Sequence, residues 1–484
     1  MSTDLDHGVA AVVVLAAGAG TRMKSNRSKL LHEIAGRSLL SYAVDAANAV
    51  EPERLVVVVG HQREQVEAHL ADIAPHATIA VQDSLRGTGD AVRAGMTPLP
   101  DLSGEVVVTY GDVPMLEGES LRKAVAVHRE RMDAITILSC VVDDPTGYGR
   151  IIRSDDNEEV DRIVEERDCT AEQASVREIN SGIYVFDADV LRSGLAQLTS
   201  DNAQGELYLT DVIAHARNQG RRVRTVVLTD AWQAEGINDR VQLSAMNAEV
   251  NRRIIKKWQL AGVTIVDPAT TWIHGSVDLG QDVTILPGTS LEGATTIGEG
   301  ATIGPDTTLR DVEVGPGASV VRSHVSLAVI SAGASVGPFA YLRPGTQLGE
   351  NGKIGAFVET KNAQISSGAK VPHLAYCGDA EVGEGSNIGA GVIFANYDGL
   401  TKNRTHVGKY SFVGSDCVLV APVSVADGAY VAAGSVVTDD VGPGELAVAR
   451  GRQRNIPGWV VSKREGTRSA QAAIDAQGSE GNEE

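Results

Sequence analysis

Three things are scarce in this 484-residue chain: aromatic side chains at 4%, cysteines at 4 positions, and long apolar runs. No stretch approaches the ~20 apolar residues of a membrane helix, which argues against membrane insertion. The N-terminal "MSTDLDHG" is acidic and lacks the basic start and apolar run of a signal peptide, so a cytoplasmic protein is expected. Cys140, Cys169, Cys377 and Cys417 lie far apart, without metal-ligand spacing, and read as reduced structural thiols. Positive charge is also short: 43 Lys and Arg against 63 Asp and Glu leave a net charge of −20. Nucleic-acid binding needs concentrated Lys and Arg to displace counterions, so that class is disfavoured. A local basic pocket for a small phosphate remains compatible with the balance. Glycine is in excess, with 52 residues, the mark of many tight turns. At roughly 100–200 residues per domain, the length implies two or three domains.

The first half alternates strand-like and helix-like runs. "AAVVVLAAG", "RLVVVVG", "EVVVTYGD", "AITILSCVV" and "SGIYVF" are strands, and "SLLSYAVDAANAV" has helical spacing. Continuous apolar strands between helices predict a parallel sheet covered on both faces: a doubly wound, Rossmann-like α/β domain over residues 5–238. Residues 239–262 read as one linker helix. From 263 to 461 the pattern changes. Leu279, Ile285, Leu291, Ile297, Ile303 and Leu309 are six apart. So are Ile330, Val336, Leu342, Leu348 and Ile354, and again Val407, Val413, Leu419, Val425, Val431 and Val437. Neither a helix nor ordinary strand pairing repeats every six residues. A triangular parallel β-helix does, one hexapeptide to each face, with the aliphatic residue pointing inward. The rhythm loosens between Ile354 and Val382 and breaks at the polar insertion "ANYDGLTKNRTH". Insertions in a solenoid project as loops and often build sites. The polar tail 462–484 is expected to be disordered.

Ligands of doubly wound sheets bind beyond the carboxyl ends of the strands. "LAAGAGTRM", Leu15 to Met23, and "TYGDVP" occupy that place. The first is neither a dinucleotide fingerprint nor a Walker loop. Gly18 and Gly20 still let backbone N–H groups approach a phosphate, with Arg22 and Lys29 near enough to add charge. Taken alone, it also fits a strand-to-helix turn with solvated basic residues, the lesser of the two readings.

The run L-A-A-G-x-G-T-R-M followed by Lys29 resembles the signature of the sugar-nucleotidyltransferase family, whose members usually carry Pro-Lys where this chain has Ser28-Lys29. The resemblance implies a nucleotide site built from Leu15, Ala16, Ala17, Gly18, Lys29, Gln82, Gly87, Thr88, Tyr110, Gly111 and Asp112. It implies sugar-side contacts from Gly149, Glu165 and Asn180 in "GYGRI", "RIVEERD" and "EINSGIY". It also implies a Mg²⁺ held by Asp112 and by Asn238 of "AEGINDR". Hard oxygen ligands suit that ion. The implied step is in-line attack of a sugar-1-phosphate oxygen on the α-phosphorus of the nucleotide, releasing pyrophosphate, with Lys29 and Arg22 steadying the charge.

Prisms of this kind are either acyltransferases or mere scaffolds, so particular residues must decide. His373 has Arg343, Lys361 and Tyr376 for company, then Asn387, Ala390 and Asn396-Tyr397. Acetylating a sugar amine needs a base to take its proton as it attacks, a task that suits a histidine, and His373 is the candidate. Arg343 and Lys361 suit a substrate phosphate, and Ser415 with a backbone N–H suits the acetyl oxygen. In order, these stretches resemble the family of bacterial bifunctional N-acetylglucosamine-1-phosphate uridylyltransferases / glucosamine-1-phosphate N-acetyltransferases, over residues 8–457.

That resemblance implies a left-handed prism and a homotrimer with the acetyl-transfer site between prisms. Arg343, Lys361, Tyr376 and Asn387 would hold glucosamine-1-phosphate, His373 would be the base, and Glu359 would orient its surroundings. Ala390, Asn396, Tyr397, Ser415, Ala433 and Arg450 would line the acetyl-CoA side. The two activities would run in series: acetyl-CoA acetylates glucosamine-1-phosphate, then UTP and Mg²⁺ convert N-acetylglucosamine-1-phosphate to UDP-N-acetylglucosamine. The alternative is a monofunctional sugar-nucleotide pyrophosphorylase with a regulatory or trimerising prism.

Overall fold

The computed structural model describes residues 8–155 and 157–480, with side chains through 477. Residues 5–7, the start expected for the α/β domain, and 481–484 of the tail lie outside the described residues. The chain divides into two compact units, one up to Thr296 and one from Ile297 onward.

The first unit contains a nine-stranded sheet. Its strands are β1 (Ala11–Ala16), β2 (Arg54–Val59), β3 (Thr78–Val81), β4 (Glu105–Tyr110), β5 (Ile135–Val141), β6 (Arg150–Arg153), β7 (Val160–Val164), β8 (Glu178–Asp187) and β9 (Val223–Leu228). The path runs β9-β5-β8-β4-β1-β2-β3, and β6 and β7 branch off it as an antiparallel pair beside β8. β1 is parallel to both β2 and β4, and β2 is parallel to β3. The expectation of a wholly parallel sheet needs one correction: β8, which carries "SGIYVF", runs antiparallel to β4 and β5. Residues 165–177 before it hold only two short helical turns, too little for the crossover helix that a parallel strand requires.

Because side chains alternate across a strand, each core strand serves both faces. Val12, Val14, Val57 and Val59 point to one face. There they meet helices α1 (Leu39–Asn48), α2 (Arg63–Ile73) and α4 (Gly118–Arg131), through Val44, Leu70 and Leu121. Val13, Val56, Val58 and Val108 point to the other. That face is covered by α3 (Thr88–Met96), α5 (Ala188–Gln197) and α6 (Asp211–Asn218), through Val92, Leu191 and Ile213.

Helix α7 (Arg240–Leu260) starts at Asp239, whose carboxylate accepts from the N–H groups of Val241 and Gln242, both at 2.9 Å. Its buried Met246 and Val250 pack with Ile34, Leu39, Met115 and Ile237. Asn251, also buried, donates to Thr271 O at 2.8 Å and accepts from Ile273 N–H at 3.0 Å. These bonds join α7 to the first strands of the repeat, which belong to the first unit through Thr296.

The second unit is a left-handed parallel β-helix. Its coils stack in register: Ser335 lies beside Lys353, Lys353 beside Lys370, and Lys370 beside Asn387. The longer step from Asn387 to Phe412 accommodates the polar insertion. Every hexad aliphatic from Ile303 to Val437 named above is buried, as the inward-pointing role requires. Buried Thr346 satisfies its hydroxyl on Arg343 O, 2.8 Å away, so the interior tolerates hydroxyls at its corners.

The tail differs from expectation. Arg468–Glu480 forms helix α8, capped by Thr467 Oγ1, which accepts from Ala470 N–H at 3.2 Å. Its four alanines at 470, 472, 473 and 476 are strong helix formers, and Ala470 is buried. Their small size reads as low hydrophobicity, but their backbone preference is helical. No helix among the described residues is long and apolar enough to cross a membrane.

Candidate active sites

The parallel strands β1, β3 and β4 end at one edge, and a cavity of about 280 Å³ lies there. Its lining includes Leu15, Ala16, Ala17, Gly18, Lys29, Gln82, Gly87, Thr88, Tyr110 and Asp112, all expected from the sequence. Leu30, Leu85, Ala91 and Glu206 complete it. Sequence reading missed Glu206 because it arrives from a loop far along the chain. Gly111 N–H donates to Leu15 O at 2.9 Å and holds the ends of β4 and β1 together.

Two glycines in the turn after β1 do different work. A Cβ on Gly18 would meet nothing within 4 Å, so its backbone faces open space. Gly20 has φ +58, and a Cβ there would sit 2.9 Å from Lys29 Cβ. Lys29 therefore packs directly over a bare backbone, which only glycine permits. Its ammonium is ion-paired to Asp112 Oδ2 and lies 3.5 Å from Asn238 Oδ1. The side chains of Lys29 and Asp112 are 11% and 19% exposed. Asn238 directly precedes the cap of α7, and its own N–H donates to Gln242 Oε1 at 2.8 Å. Asp112 O accepts from Ile237 N–H at 3.0 Å, joining the two turns. The fold thus brings residues 29, 112 and 238 to one point. There, two hard oxygens already face a cation, the donor set that suits a divalent ion such as Mg²⁺. Arg22 stands exposed on the turn Thr21–Met23 and is not part of the lining.

Buried Gln82 donates to Gly87 O at 3.3 Å and to Asp90 Oδ2 at 3.2 Å, while Arg86 pairs with Asp90 at 3.0 Å. Thr88 Oγ1 accepts from Leu209 N–H at 3.1 Å. Gly149, Glu165 and Asn180 form a second cluster. Asn180 N–H donates to Gly149 O at 2.9 Å, and a Cβ on Gly149 would lie 3.5 Å from either Glu165 carboxylate oxygen. Burial pushes the Glu165 carboxyl above its usual range, partly offset by the Thr210 hydroxyl donating to it at 3.3 Å. Asn180 Nδ2 donates to Tyr184 Oη at 2.7 Å, and its Oδ1 accepts from Gly182 N–H at 3.0 Å. Gly182, at φ +81, leaves room for the Tyr110 ring, which joins this cluster to the cavity. Burial, reinforced by the charges of Glu165 and Asp112, raises the Tyr110 phenol well above its usual range.

On the prism, register does the assembling. His373 ends the strand Lys370–His373, and Tyr376 opens Tyr376–Val382 beyond the corner residue Leu374, at φ 48. Tyr376 lies beside Glu359 and Ile393, and Asn387 beside Lys370. Arg343 pairs with Glu359 at 3.0 Å, so Glu359 engages the arginine rather than the base. Asn396 donates to Tyr376 Oη at 3.4 Å and to Asp379 Oδ2 at 2.6 Å. Lys361 faces Lys402, whose like charge holds its ammonium below the usual range. Asp379 and Lys402 were not singled out from sequence, although Lys402 lies in the quoted insertion. Asp398 ties that insertion through Leu400 and Thr401 N–H at 2.8 and 2.7 Å, leaving Tyr397 exposed. Ser415 lies near Gly389, and Ala433 near Gly414, in successive coils, where Arg450 donates to Ala433 O at 2.7 Å. Ala390 O accepts from Asp416 N–H at 2.8 Å. His373 is exposed, and its imidazole has no hydrogen bond among the described residues. All four cysteines are free thiols, three of them buried.

A family model described as nucleotidyl transferase matches residues 11–240. With the parallel β-helix, this defines the class: a nucleotidyl transferase unit joined to a hexapeptide-repeat prism. Three curated relatives, each named "Bifunctional protein GlmU", match nearly the whole chain. That of Pseudarthrobacter chlorophenolicus is 55% identical over 96% of this chain and 95% of its own length. That of Paenarthrobacter aurescens is 56% identical over 97% and 95%. That of Corynebacterium efficiens is 54% identical over 98% and 98%. The chain belongs to the GlmU family of bifunctional proteins.

Proposed function

We propose that this chain makes UDP-N-acetylglucosamine in two steps, each on its own part of the fold. The observation that carries the reading is the convergence of Lys29, Asp112 and Asn238 in a cleft closed by a glycine turn. In the first step, Arg343, Lys361 and Lys402 hold the phosphate of glucosamine-1-phosphate, and Tyr376 and Asn387 orient the sugar. The amine attacks the thioester carbon of acetyl-CoA. Exposed His373 takes the amine proton, the carbon–sulfur bond breaks, and the imidazolium returns that proton to the departing sulfur, so coenzyme A leaves as the thiol. Ala390, Asn396, Tyr397, Ser415, Ala433 and Arg450 contact the coenzyme.

In the second step, Gln82, Gly87 and Thr88 receive the uracil, and Gly149, Glu165 and Asn180 receive the N-acetylated sugar. A sugar-phosphate oxygen bonds to the α-phosphorus of UTP as the bond to the bridging oxygen breaks, releasing pyrophosphate. No side-chain base is required, because the attacking oxygen is already ionised. Asp112 and Asn238 would hold Mg²⁺, which supplies charge neutralisation on the triphosphate. Lys29 then directs its ammonium to the phosphates, and Arg22 approaches from the exposed side of the turn. The enzyme acts as a homotrimer, in the cytoplasm where its free thiols stay reduced, and its product feeds bacterial cell-wall synthesis.

Incubation with glucosamine-1-phosphate, acetyl-CoA, UTP and Mg²⁺, omitting each in turn, tests this. UDP-sugar should appear only with all four, and thiol release should need neither UTP nor Mg²⁺. UDP-sugar formation from N-acetylglucosamine-1-phosphate, with no thiol release from acetyl-CoA, would leave only the monofunctional alternative.

A further inference from the structure

The segment that delivers Lys29 to the cleft is fastened from outside by α2. Ser28 is 5% exposed, with φ −53 and ψ 139. Its N–H donates to Oε1 of the exposed Gln65 at 2.9 Å. The same amide returns a bond from Nε2 to Asn26 O at 3.0 Å, and Gln62 Nε2 donates to Asn26 O at 3.2 Å. One Gln65 side chain therefore spans residues 26–28 with both of its polar ends. The chain next makes the tight turn Lys29–Leu31, closed by Leu31 N–H on Ser28 O at 3.0 Å, with Leu30 buried. That turn aims Lys29 across Gly20 toward Asp112.

We propose that Gln65 is a positioning residue for uridylyl transfer, holding Ser28 so that Lys29 enters the cleft already oriented. The inference rests on the uridylyltransferase reading of that cleft. The backbone of Ser28 sits in the φ region to which a proline ring would lock it, but serine has no such lock. Order must come from a partner, and Gln65 gives the Ser28 N–H an acceptor anchored on α2. Proline at this position would supply the same order covalently and would remove the donor that needs Gln65.

The test uses the full chain and steady-state kinetics of both activities. Gln65→Met keeps the side-chain length and removes both hydrogen bonds. It should raise KM for UTP about tenfold, change kcat by less than about threefold, and leave thiol release from acetyl-CoA unchanged. Adding Ser28→Pro to Gln65→Met should return KM to within about threefold of the parent. An unchanged KM in Gln65→Met would make Gln65 a packing residue only and overturn the proposal. So would failure of Ser28→Pro to restore KM, or a parallel fall in both activities, which marks general unfolding. If the parent chain forms no UDP-sugar at all, the reading of the cleft fails instead, and the inference goes with it.

Discussion

The cleft of the α/β portion and the exposed face of the prism gather their residues in opposite ways. In the cleft, side chains from β1, β3, β4 and the turn before α7 meet within one chain, and the charges are already paired, Lys29 with Asp112. On the prism, a strict repeat sets residues side by side on successive coils, and His373, Tyr397 and Lys361 face outward. A converging set of loops encloses a site by itself. A flat, regular face needs a second surface to exclude water, which is the physical ground for the homotrimer proposed above.

Breaking either site should leave the other intact. The largest effect is expected for Asp112→Ala, which removes the carboxylate facing Lys29. Uridylyl transfer should fall by about 10³-fold or more while acetyl transfer keeps its parent rate, read as pyrophosphate and thiol release. His373→Ala should do the reverse, costing acetyl transfer about 10²- to 10⁴-fold and sparing UDP-sugar formation from N-acetylglucosamine-1-phosphate. Equal loss of both activities in either variant would refute separate sites.

Gly20→Ala sharpens the comparison, because a methyl there strains a φ of +58 and collides with Lys29. KM for UTP should rise about tenfold, with acetyl transfer unchanged.

The smallest effect concerns stability. Hydrogen bonds from Arg252 and Arg253, working against burial, hold the Glu249 carboxyl below its usual range. A carboxylate with a lowered folded pKa stabilises the protein above the unfolded value, and that stability is lost as pH falls through the folded value. Glu249→Gln should therefore lower the melting temperature by a few degrees at pH 7, the gap closing below about pH 4. A gap that persists at low pH would mean that packing of α7, not charge, is what Glu249 contributes.

Much was legible in the order of residues. The six-residue spacing of Ile303, Leu309, Val413 and Leu419 could mean little else, because each must point into a prism whose faces take one hexapeptide apiece. The glycine turn and Asp112 were legible for a related reason: in a parallel sheet, strand ends fall on one edge. Gln82 and Thr88 were legible only through the family resemblance. Direction and pairing were not. Whether β8 runs with or against its neighbours depends on how much chain is left to cross the sheet, and nothing in "SGIYVF" encodes it. The tail's alanines were too small to show a hydrophobic face, so helix α8 passed for a disordered end.

Local chemistry and periodicity are properties of short windows, and the sequence carried them unaided: strand, turn, hexad and cap. Convergence belongs to three dimensions. The resemblance had grouped Lys29, Asp112 and Asn238, but only the folded chain paired the Lys29 ammonium with Asp112, left Arg22 outside, set Lys402 against Lys361, and gave Ser28 an acceptor in Gln65. Each of those contacts joins positions tens to hundreds of residues apart, where no window of sequence can report which side chains will share a dielectric or a hydrogen bond.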